Sequence, residues 1–152
     1  MTTSITLADT EALPRLLGLL ERRGTEAGDR PWDDETRERE GQRIAPLLTG
    51  GSEGAVWLIG PSRAPLGYAA ICFGWSMREG REAWLEDMYL RPSVRRRGIG
   101  REVVHAISVS LRGAGVRRLH VRLPRSEHSA QEFCTACGFG LETRTILMSE
   151  PL

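Results

Sequence analysis

Residues 85–100 of this chain read Leu85-Glu86-Asp87-Met88-Tyr89-Leu90-Arg91-Pro92-Ser93-Val94-Arg95-Arg96-Arg97-Gly98-Ile99-Gly100. The apolar start predicts a buried strand, the proline marks its exit, and the arginines and glycines predict a turn. Apolar residues then follow at helical spacing: Val103, Val104, Ile107 and Leu111. A strand, a glycine turn and a helix in this order direct backbone N–H groups and the positive end of the helix dipole at one point. The stretch therefore predicts a site for a phosphate or pyrophosphate.

The turn itself has the pattern Arg95-x-x-Gly98-x-Gly100. The two glycines allow the backbone to approach a ligand closely, and Arg96 and Arg97 add positive charge. No Gly-Lys-Ser/Thr follows, and the third glycine of a dinucleotide-binding fingerprint is missing, so neither of those phosphate sites is predicted. The pattern resembles the pyrophosphate loop for acetyl-CoA in the GNAT superfamily of acyl-CoA-dependent N-acyltransferases.

The rest of the chain predicts the element order βααβββαβαβ, an α+β arrangement that is also the order of the GNAT fold, with a mixed central sheet flanked by helices. The predicted strands are residues 4–7, 55–59, 66–75, 84–90, 116–123 and 145–148. The predicted helices start after Asp9 or Thr10, at 33–35, at 98 and at 126. The resemblance therefore covers nearly the whole chain, with an antiparallel meander at its centre.

The composition predicts one domain over residues 1–152. No apolar run approaches the roughly 20 residues of a membrane span, and the first residues lack the pattern of a secretory signal. Three cysteines make no even disulfide framework, so we expect a reducing, cytoplasmic location. The net charge is +1 and all 21 basic residues are arginine, which indicates a codon bias rather than a surface built for nucleic acid.

The resemblance implies acetyl-CoA as co-substrate, with the N–H groups from Arg96 through Ile99 to Gly100 around the pyrophosphate and Arg95 at the start of the motif. In the family, the strand before this loop pairs with the pantetheine arm through its backbone. The matching positions are Met88 and Leu90, whose side chains we expect in the core. The Met88 N–H is the implied donor to the thioester carbonyl.

Two adjacent carboxylates, Glu86 and Asp87, lie in an otherwise apolar predicted strand. Carboxylates in a central strand are costly unless they are paired or functional. In a regular strand they would face opposite sides. The string resembles that of diamine and polyamine N-acetyltransferases, which implies Glu86 as general base or water-positioning residue and Asp87 as a substrate contact. A structural salt bridge is the alternative for both.

The last predicted helix departs from the family pattern. The usual tyrosine, which protonates the coenzyme thiolate, is Cys134, and the usual asparagine, which contacts the cofactor, is Glu127. A thiol with a pKa of about 8.5 is able to donate a proton. The alternatives are that Cys134 only packs and that water or Tyr89 supplies the proton. Cys134 and Cys137 form a C-x-x-C pair, but its place late in a helix argues against a redox or metal role.

Trp32 and the acidic residues 33–35 fall where the family's first two helices line the acceptor groove. Together with Glu86 and Asp87 they would favour a cationic amine, although a solvated helix start explains the acidic residues equally well. The predicted activity is acetyl transfer to a primary amine. A polyamine or diamine, an aminoglycoside-like sugar amine, an amino acid and a protein N-terminus all remain open as acceptors.

Two other classes of function are alternatives to the predicted acetyl transfer. A non-catalytic acyl-CoA-binding or regulatory domain would explain the missing tyrosine. A nucleic-acid binder would use arginines such as Arg122 and Arg125, but the near-neutral charge argues against it. We expect a small-molecule amine as partner, no nucleic acid, membrane or metal, and either a monomer or a homodimer.

Overall fold

The structure is a computed structural model that describes residues 3–152. The strands are β1 (Ile5–Leu7), β2 (Gly54–Ile59), β3 (Gly67–Ser76), β4 (Gly80–Leu90) and β5 (Arg118–Val121). The helices are α1 (Leu13–Glu26), α2 (Asp34–Ile44), α3 (Ile99–Gly113) and α4 (His128–Ala136). Short 3₁₀ turns at Thr10–Ala12, Ala45–Leu48 and Pro92–Val94 connect them.

The five strands form one mixed sheet in the order β1-β2-β3-β4-β5. The first three neighbouring pairs are antiparallel, and β5 joins β4 in parallel after the α3 crossover. A parallel neighbour requires such a crossover, and here α3 supplies it. The predicted α+β class and the antiparallel meander of β2, β3 and β4 are confirmed.

Apolar side chains divide between the two faces of the sheet because successive strand residues point in opposite directions. The α3 side chains Val103, Ile107 and Leu111 pack on one face with residues such as Ile71 and Leu85. The other face packs against α1. Its cluster includes Leu16, Leu19, Leu58, Tyr68 and Tyr89. The sheet is therefore covered on both faces, and β4 lies between β3 and β5.

Acidic side chains start the first two helical segments, as the sequence predicts. Asp9 accepts a hydrogen bond from the Glu11 N–H at 3.0 Å, and Asp33 accepts one from the Thr36 N–H at 2.7 Å. Such caps satisfy N–H groups that have no partner within the helix. The contact gives Asp33 a structural role at the start of α2.

The chain forms two compact units, one that reaches to Arg122 and one that spans Leu123–Leu152. The second unit contains α4, and its residues 139–152 form neither helix nor strand. The predicted closing strand at 145–148 is therefore wrong, and Ile146, Leu147 and Met148 are exposed. A short apolar run becomes a strand only when a neighbouring strand takes its backbone hydrogen bonds. The prediction of a single domain over 1–152 stays a prediction.

Within residues 3–152, no helix combines the length and apolar character that crossing a membrane would require.

Candidate active site

The glycine turn before α3 has an unusual backbone. Arg96 has φ of 62° and Gly98 has φ of 77°, so two residues of one short loop are left-handed. The first helical hydrogen bond runs from the Glu102 N–H to the Gly98 carbonyl at 3.2 Å. The N–H groups of residues 98–101 therefore lack a partner within the helix, as at any helix start. Alternating backbone of this kind, at a helix N-terminus, is suited to an anion.

The space beside this turn is open. A Cβ added to Gly98 would meet no protein atom within 4 Å, so packing does not explain the glycine. Its positive φ does, because residues with a side chain rarely adopt that conformation. Gly100 is buried and Ile99 packs against the α3-side core. The turn is thus held in the core through Gly100 and Ile99, while the space beside Gly98 is open and is able to accept a phosphate-sized ligand.

The arginines of the turn have different surroundings. Arg96 and Arg97 are exposed. Arg95 donates from Nε to the Leu90 carbonyl at 2.8 Å and from Nη2 to Glu26 at 2.8 Å. Its guanidinium also lies 5.5 Å from the ring centre of Tyr89. Arg95 therefore holds the turn against the end of β4 and against α1.

Strand β4 has a free edge beside this turn. β5 pairs with it only from Glu82, opposite Arg118, to Leu85, opposite Val121. Along residues 86–90, no strand continues the ladder on that side within residues 3–152. The ladder between the two parallel strands thus ends at Leu85, and the unpaired part of β4 leads toward the glycine turn.

Backbone groups at the free edge include those expected to bind the coenzyme. The Arg91 N–H donates to the Leu66 carbonyl at 2.8 Å, on the β3 side. Because backbone groups alternate between the two edges of a strand, the N–H groups of Met88 and Leu90 face the free edge. Both side chains pack against the α3-side core, as predicted. A ligand with amide groups would be able to pair with β4 here.

A β-bulge interrupts β4 at the start of this free edge. Asp87 lies opposite Ala70, but Leu85 lies opposite the next residue, Ile71. Glu86 is the extra residue, with no opposite partner in β3. Bulges bend a strand and redirect its side chains.

The bulge changes which way the two carboxylates face. Asp87 contacts Tyr68, which belongs to the α1-side core. Glu86 acts electrostatically on Cys72, which shares the face of Tyr68 because alternate residues of β3 point the same way. Both carboxylates therefore lie on one face of the sheet. The expectation that they face opposite sides is wrong, because it assumed a regular strand.

Asp87 is tightly paired. Its carboxylate lies 2.6 Å from Arg23 Nη1 and accepts a hydrogen bond from the Tyr68 hydroxyl at 2.5 Å. Burial, together with the charge of Asp87, raises the pKa of Tyr68 well above its usual value, so the phenol stays protonated and remains a donor. These contacts compensate for the charge of Asp87 beside the core.

We expect Tyr68→Phe to lower the free energy of unfolding by about 1–3 kcal/mol, because the Asp87 carboxylate loses a donor in a poorly solvated place. Urea denaturation at pH 7 measures the change. Arg43→Gln is the control, since it removes an exposed pair with Glu40 and should cost less than about 1 kcal/mol. Equal stability of Tyr68→Phe and the unmodified protein would show that the contact is not stabilising.

Glu86 is more accessible. Its side chain is 43% exposed, and its carboxylate lies 3.7 Å from Arg122 Nη2. Arg122 in turn lies over the Trp84 ring, 4.2 Å from its centre. Burial, and secondarily the charge of Glu86, raises the pKa of the Cys72 thiol. Glu86 thus combines contact with solvent, a loose ion pair and a position at the free edge of β4.

The side chains around Glu86 were not predicted from the sequence. The parallel register places Trp84 opposite His120, and their rings stack at 4.4 Å between centres. His120 Nε2 lies 3.0 Å from a Glu82 carboxylate oxygen. Alternation along β4 groups Glu82 with Trp84, but only the pairing of β4 with β5 adds His120. We call Glu82, Trp84, His120 and Arg122 the β4–β5 cluster.

The loop between α1 and α2 is held by Glu21. This carboxylate accepts a hydrogen bond from the Trp32 N–H at 2.7 Å and pairs with Arg37. The Arg37 guanidinium lies 5.8 Å from the centre of the Trp32 ring, which is half-buried. Trp32 therefore has a fixed backbone and a partly accessible ring.

Tyr89, the alternative proton donor, faces α1. It is buried, and its hydroxyl donates to Glu26. Burial and the hydrogen bond to Glu26 raise the pKa of Tyr89 to about 12. That hydroxyl is already engaged as a donor within the protein.

In the second unit, Cys134 lies in α4 and is 7% exposed. Burial, and secondarily Cys137, raises the pKa of the Cys134 thiol above its ordinary value. The Phe139 N–H bonds to the Cys134 carbonyl at 3.0 Å, and left-handed Gly138 ends the helix as predicted. Glu127 stands at the exposed N-terminal end of α4 and uses its carbonyl, which accepts from the Gln131 N–H at 3.1 Å.

Among residues 3–152, no group of three or more His, Cys, Asp or Glu side chains is arranged to hold a metal ion.

A family model described as the acetyltransferase (GNAT) family matches residues 14–139. A comparison of the sequence with curated proteins found no match. Among solved structures, a possible acetyltransferase from Clostridium difficile has 14% identity and a TM-score of 0.83, covering 100% of this chain and 99% of that one. An aminoglycoside acetyltransferase from an uncultured soil metagenomic sample, in complex with sisomicin, has 15% identity and a TM-score of 0.78, covering 99% and 96%. An aminoglycoside N-acetyltransferase in complex with CoA has 18% identity and a TM-score of 0.73, covering 99% and 95%.

Proposed function

We propose, because the chain belongs to the acetyltransferase (GNAT) family, that it transfers an acetyl group from acetyl-CoA to a primary amine of a small, cationic acceptor. The observation that carries this proposal is the position of Glu86. Its carboxylate stands at a bulge, partly exposed, where the free edge of β4 begins and leads to the glycine turn. The proposed base and the free edge that would bind the coenzyme lie on one strand, and this arrangement suits direct transfer between two bound substrates.

The residues that would hold the coenzyme are mostly backbone. The N–H groups of Arg96–Gly100 would bind the pyrophosphate, with Arg95 fixing the loop from behind. The Met88 and Leu90 N–H groups would pair with the pantetheine arm. When bound, acetyl-CoA supplies an acetyl group activated as a thioester.

The acceptor amine reaches the enzyme as an ammonium ion and must lose a proton before it attacks. Glu86 would accept that proton, directly or through water, since its side chain is accessible to solvent. The Met88 N–H would donate to the thioester carbonyl as negative charge develops on its oxygen. Asp87 would be a second contact for the acceptor while it stays paired with Arg23. Trp32 and Trp84 would contact the apolar part of the acceptor.

Cys134 would return a proton to the leaving thiolate. We expect Cys134→Ala to lower kcat at least about tenfold with little change in coenzyme affinity, and Cys134→Tyr to retain or raise activity. An acid must stay protonated to act, so kcat falls as the pH rises past its pKa. Because burial raises that pKa, the fall lies above about 8.5 for the thiol and moves toward about 10 for tyrosine.

Steady-state rates from pH 6 to 10.5 measure this effect. Cys137→Ala is the matched control, because it removes a second thiol at the end of the same helix. It should keep kcat and move the alkaline limb only slightly toward lower pH, since Cys137 makes the smaller contribution to the raised pKa of Cys134. A Cys134→Ala protein with the original rate and the original alkaline limb would show that the proton comes from elsewhere.

Thiol release from acetyl-CoA against a panel of amines tests the proposed activity. The panel contains diamines, polyamines, aminoglycosides, amino acids and peptide N-termini. Analytical ultracentrifugation of the same protein determines whether a homodimer forms. The replacement of tyrosine by Cys134 keeps a non-catalytic acyl-CoA-binding domain as the second candidate. Coenzyme binding without thiol release for any amine would favour that candidate.

A further inference from the structure

A second basic site lies apart from the glycine turn. A cavity of about 360 Å³ opens between one side of α1, the turn between β2 and β3, and the residue that follows β4. Four of its lining residues are arginines, namely Arg15, Arg22, Arg63 and Arg91. The others are Gly18, Leu19, Ala64 and Pro65. The volume is within the range of small-molecule sites.

The charge of this cavity is not balanced by its own walls. The chain carries 21 basic and 20 acidic residues, yet no carboxylate lines the cavity. Other arginines pair with nearby carboxylates, as Arg23 does with Asp87 and Arg95 with Glu26. Within residues 3–152, none of the four cavity arginines has a carboxylate oxygen within 4.0 Å. Arg22 acts electrostatically on Glu26, which does not line the cavity. An anion inside the cavity would offset the mutual repulsion of the four arginines.

Arg91 gives an independent indication. Its Nε is buried and has no hydrogen-bond partner within residues 3–152. Its backbone is fixed, since the Arg91 N–H donates to the Leu66 carbonyl. A buried donor without an acceptor is unfavourable, and native proteins rarely retain one without a reason. An anion in the cavity that Arg91 lines would place negative charge beside this incompletely satisfied side chain.

We propose that this cavity binds a phosphoryl group. Guanidinium groups donate paired hydrogen bonds that match the oxygens of a phosphate dianion. Four arginines supply more positive charge and more N–H donors than one carboxylate would need, which favours phosphate over a carboxylate ligand. Gly18, without a side chain, leaves room on the helix surface between Arg15 and Arg22. The phosphoryl group belongs either to a separate phosphorylated ligand or to the 3′-phosphate of coenzyme A. The first source is independent of the proposed function, whereas the second rests on the coenzyme binding proposed above.

Calorimetric titration of the whole protein with inorganic phosphate tests the proposal. We expect Arg63→Gln and Arg15→Gln, both at exposed positions, each to weaken phosphate binding at least about tenfold. Arg91→Gln should do the same, and circular dichroism verifies its folding. Arg112→Gln is the matched control, because it removes an exposed arginine from the end of α3 and should leave the affinity unchanged.

Competition identifies the source of the phosphoryl group. Phosphate affinity that is unchanged by saturating coenzyme A supports a separate ligand. Phosphate displaced by coenzyme A, but not by dephospho-coenzyme A, supports the 3′-phosphate. Equal phosphate affinity in the Arg63→Gln, Arg15→Gln and Arg112→Gln proteins would overturn the proposal, as would complete loss of phosphate binding in Gly98→Val with the cavity arginines intact.

Discussion

Glu86→Gln should lower kcat/KM for the best amine by about 10²–10⁴-fold, the usual contribution of a positioned general base. Glutamine keeps the size and hydrogen-bonding capacity of the side chain but cannot accept the ammonium proton. Since Glu86 has no opposite partner in β3 and only a loose pair with Arg122, we expect the fold to tolerate the change. The affinity for acetyl-CoA should stay nearly the same, because backbone groups would hold the coenzyme.

Steady-state kinetics across the pH range, with coenzyme affinity measured by calorimetry, separate the two effects. Glu53→Gln makes the same chemical change at an exposed position before β2 and should leave both quantities unchanged. If Glu86→Gln retains the original kcat/KM at every pH, then Glu86 is structural and the proton is accepted elsewhere.

The second large effect concerns Gly98. We expect Gly98→Val to weaken the binding of coenzyme A at least about a hundredfold, equivalent to about 2.7 kcal/mol. Two causes act together. A β-branched residue strongly disfavours the φ of 77°, so the turn must change its backbone. Its side chain would also occupy the open space in front of the N–H groups, where the pyrophosphate is expected.

Gly115→Val is a closely matched control for this variant. Gly115 has φ of 83°, and a Cβ there also meets nothing within 4 Å, but it lies after the far end of α3. Both variants thus pay a similar conformational cost, and only Gly98→Val should lose coenzyme. Calorimetry on the folded proteins decides between them. Equal coenzyme affinity in Gly98→Val and the unmodified protein would remove the turn from the binding site.

The sequence predicted those features that depend on local pattern. The order of elements through α4 follows from apolar periodicity and from Gly and Pro positions, and the Asp33 cap follows from an acidic helix start. A turn was predicted at Gly98, where the glycine was expected to allow a ligand to approach the backbone; its φ of 77° is a conformational reason that the structure adds. These signals are local because helix starts and turns are determined by neighbouring residues.

Features that depend on pairing between distant segments could not be predicted. The bulge at Glu86 is a mismatch in register between β3 and β4, and nothing in β4 alone indicates it. His120 reaches the β4–β5 cluster only through the parallel register with Trp84. The strand expected at 145–148 failed for the same reason, since an apolar run does not show which strand will pair with it.

The unpaired edge of β4 has a cost as well as a use. Exposed N–H and C=O groups along a strand are a template on which a second chain is able to add, the first step of aggregation. Two features of this edge oppose such growth: the bulge at Glu86, and the side chain of Arg95 on the Leu90 carbonyl. Bulges and charges are the devices by which natural sheets protect their edges. The bulge at Glu86 and the side chain of Arg95 therefore also help to keep separate copies of the protein from joining edge to edge.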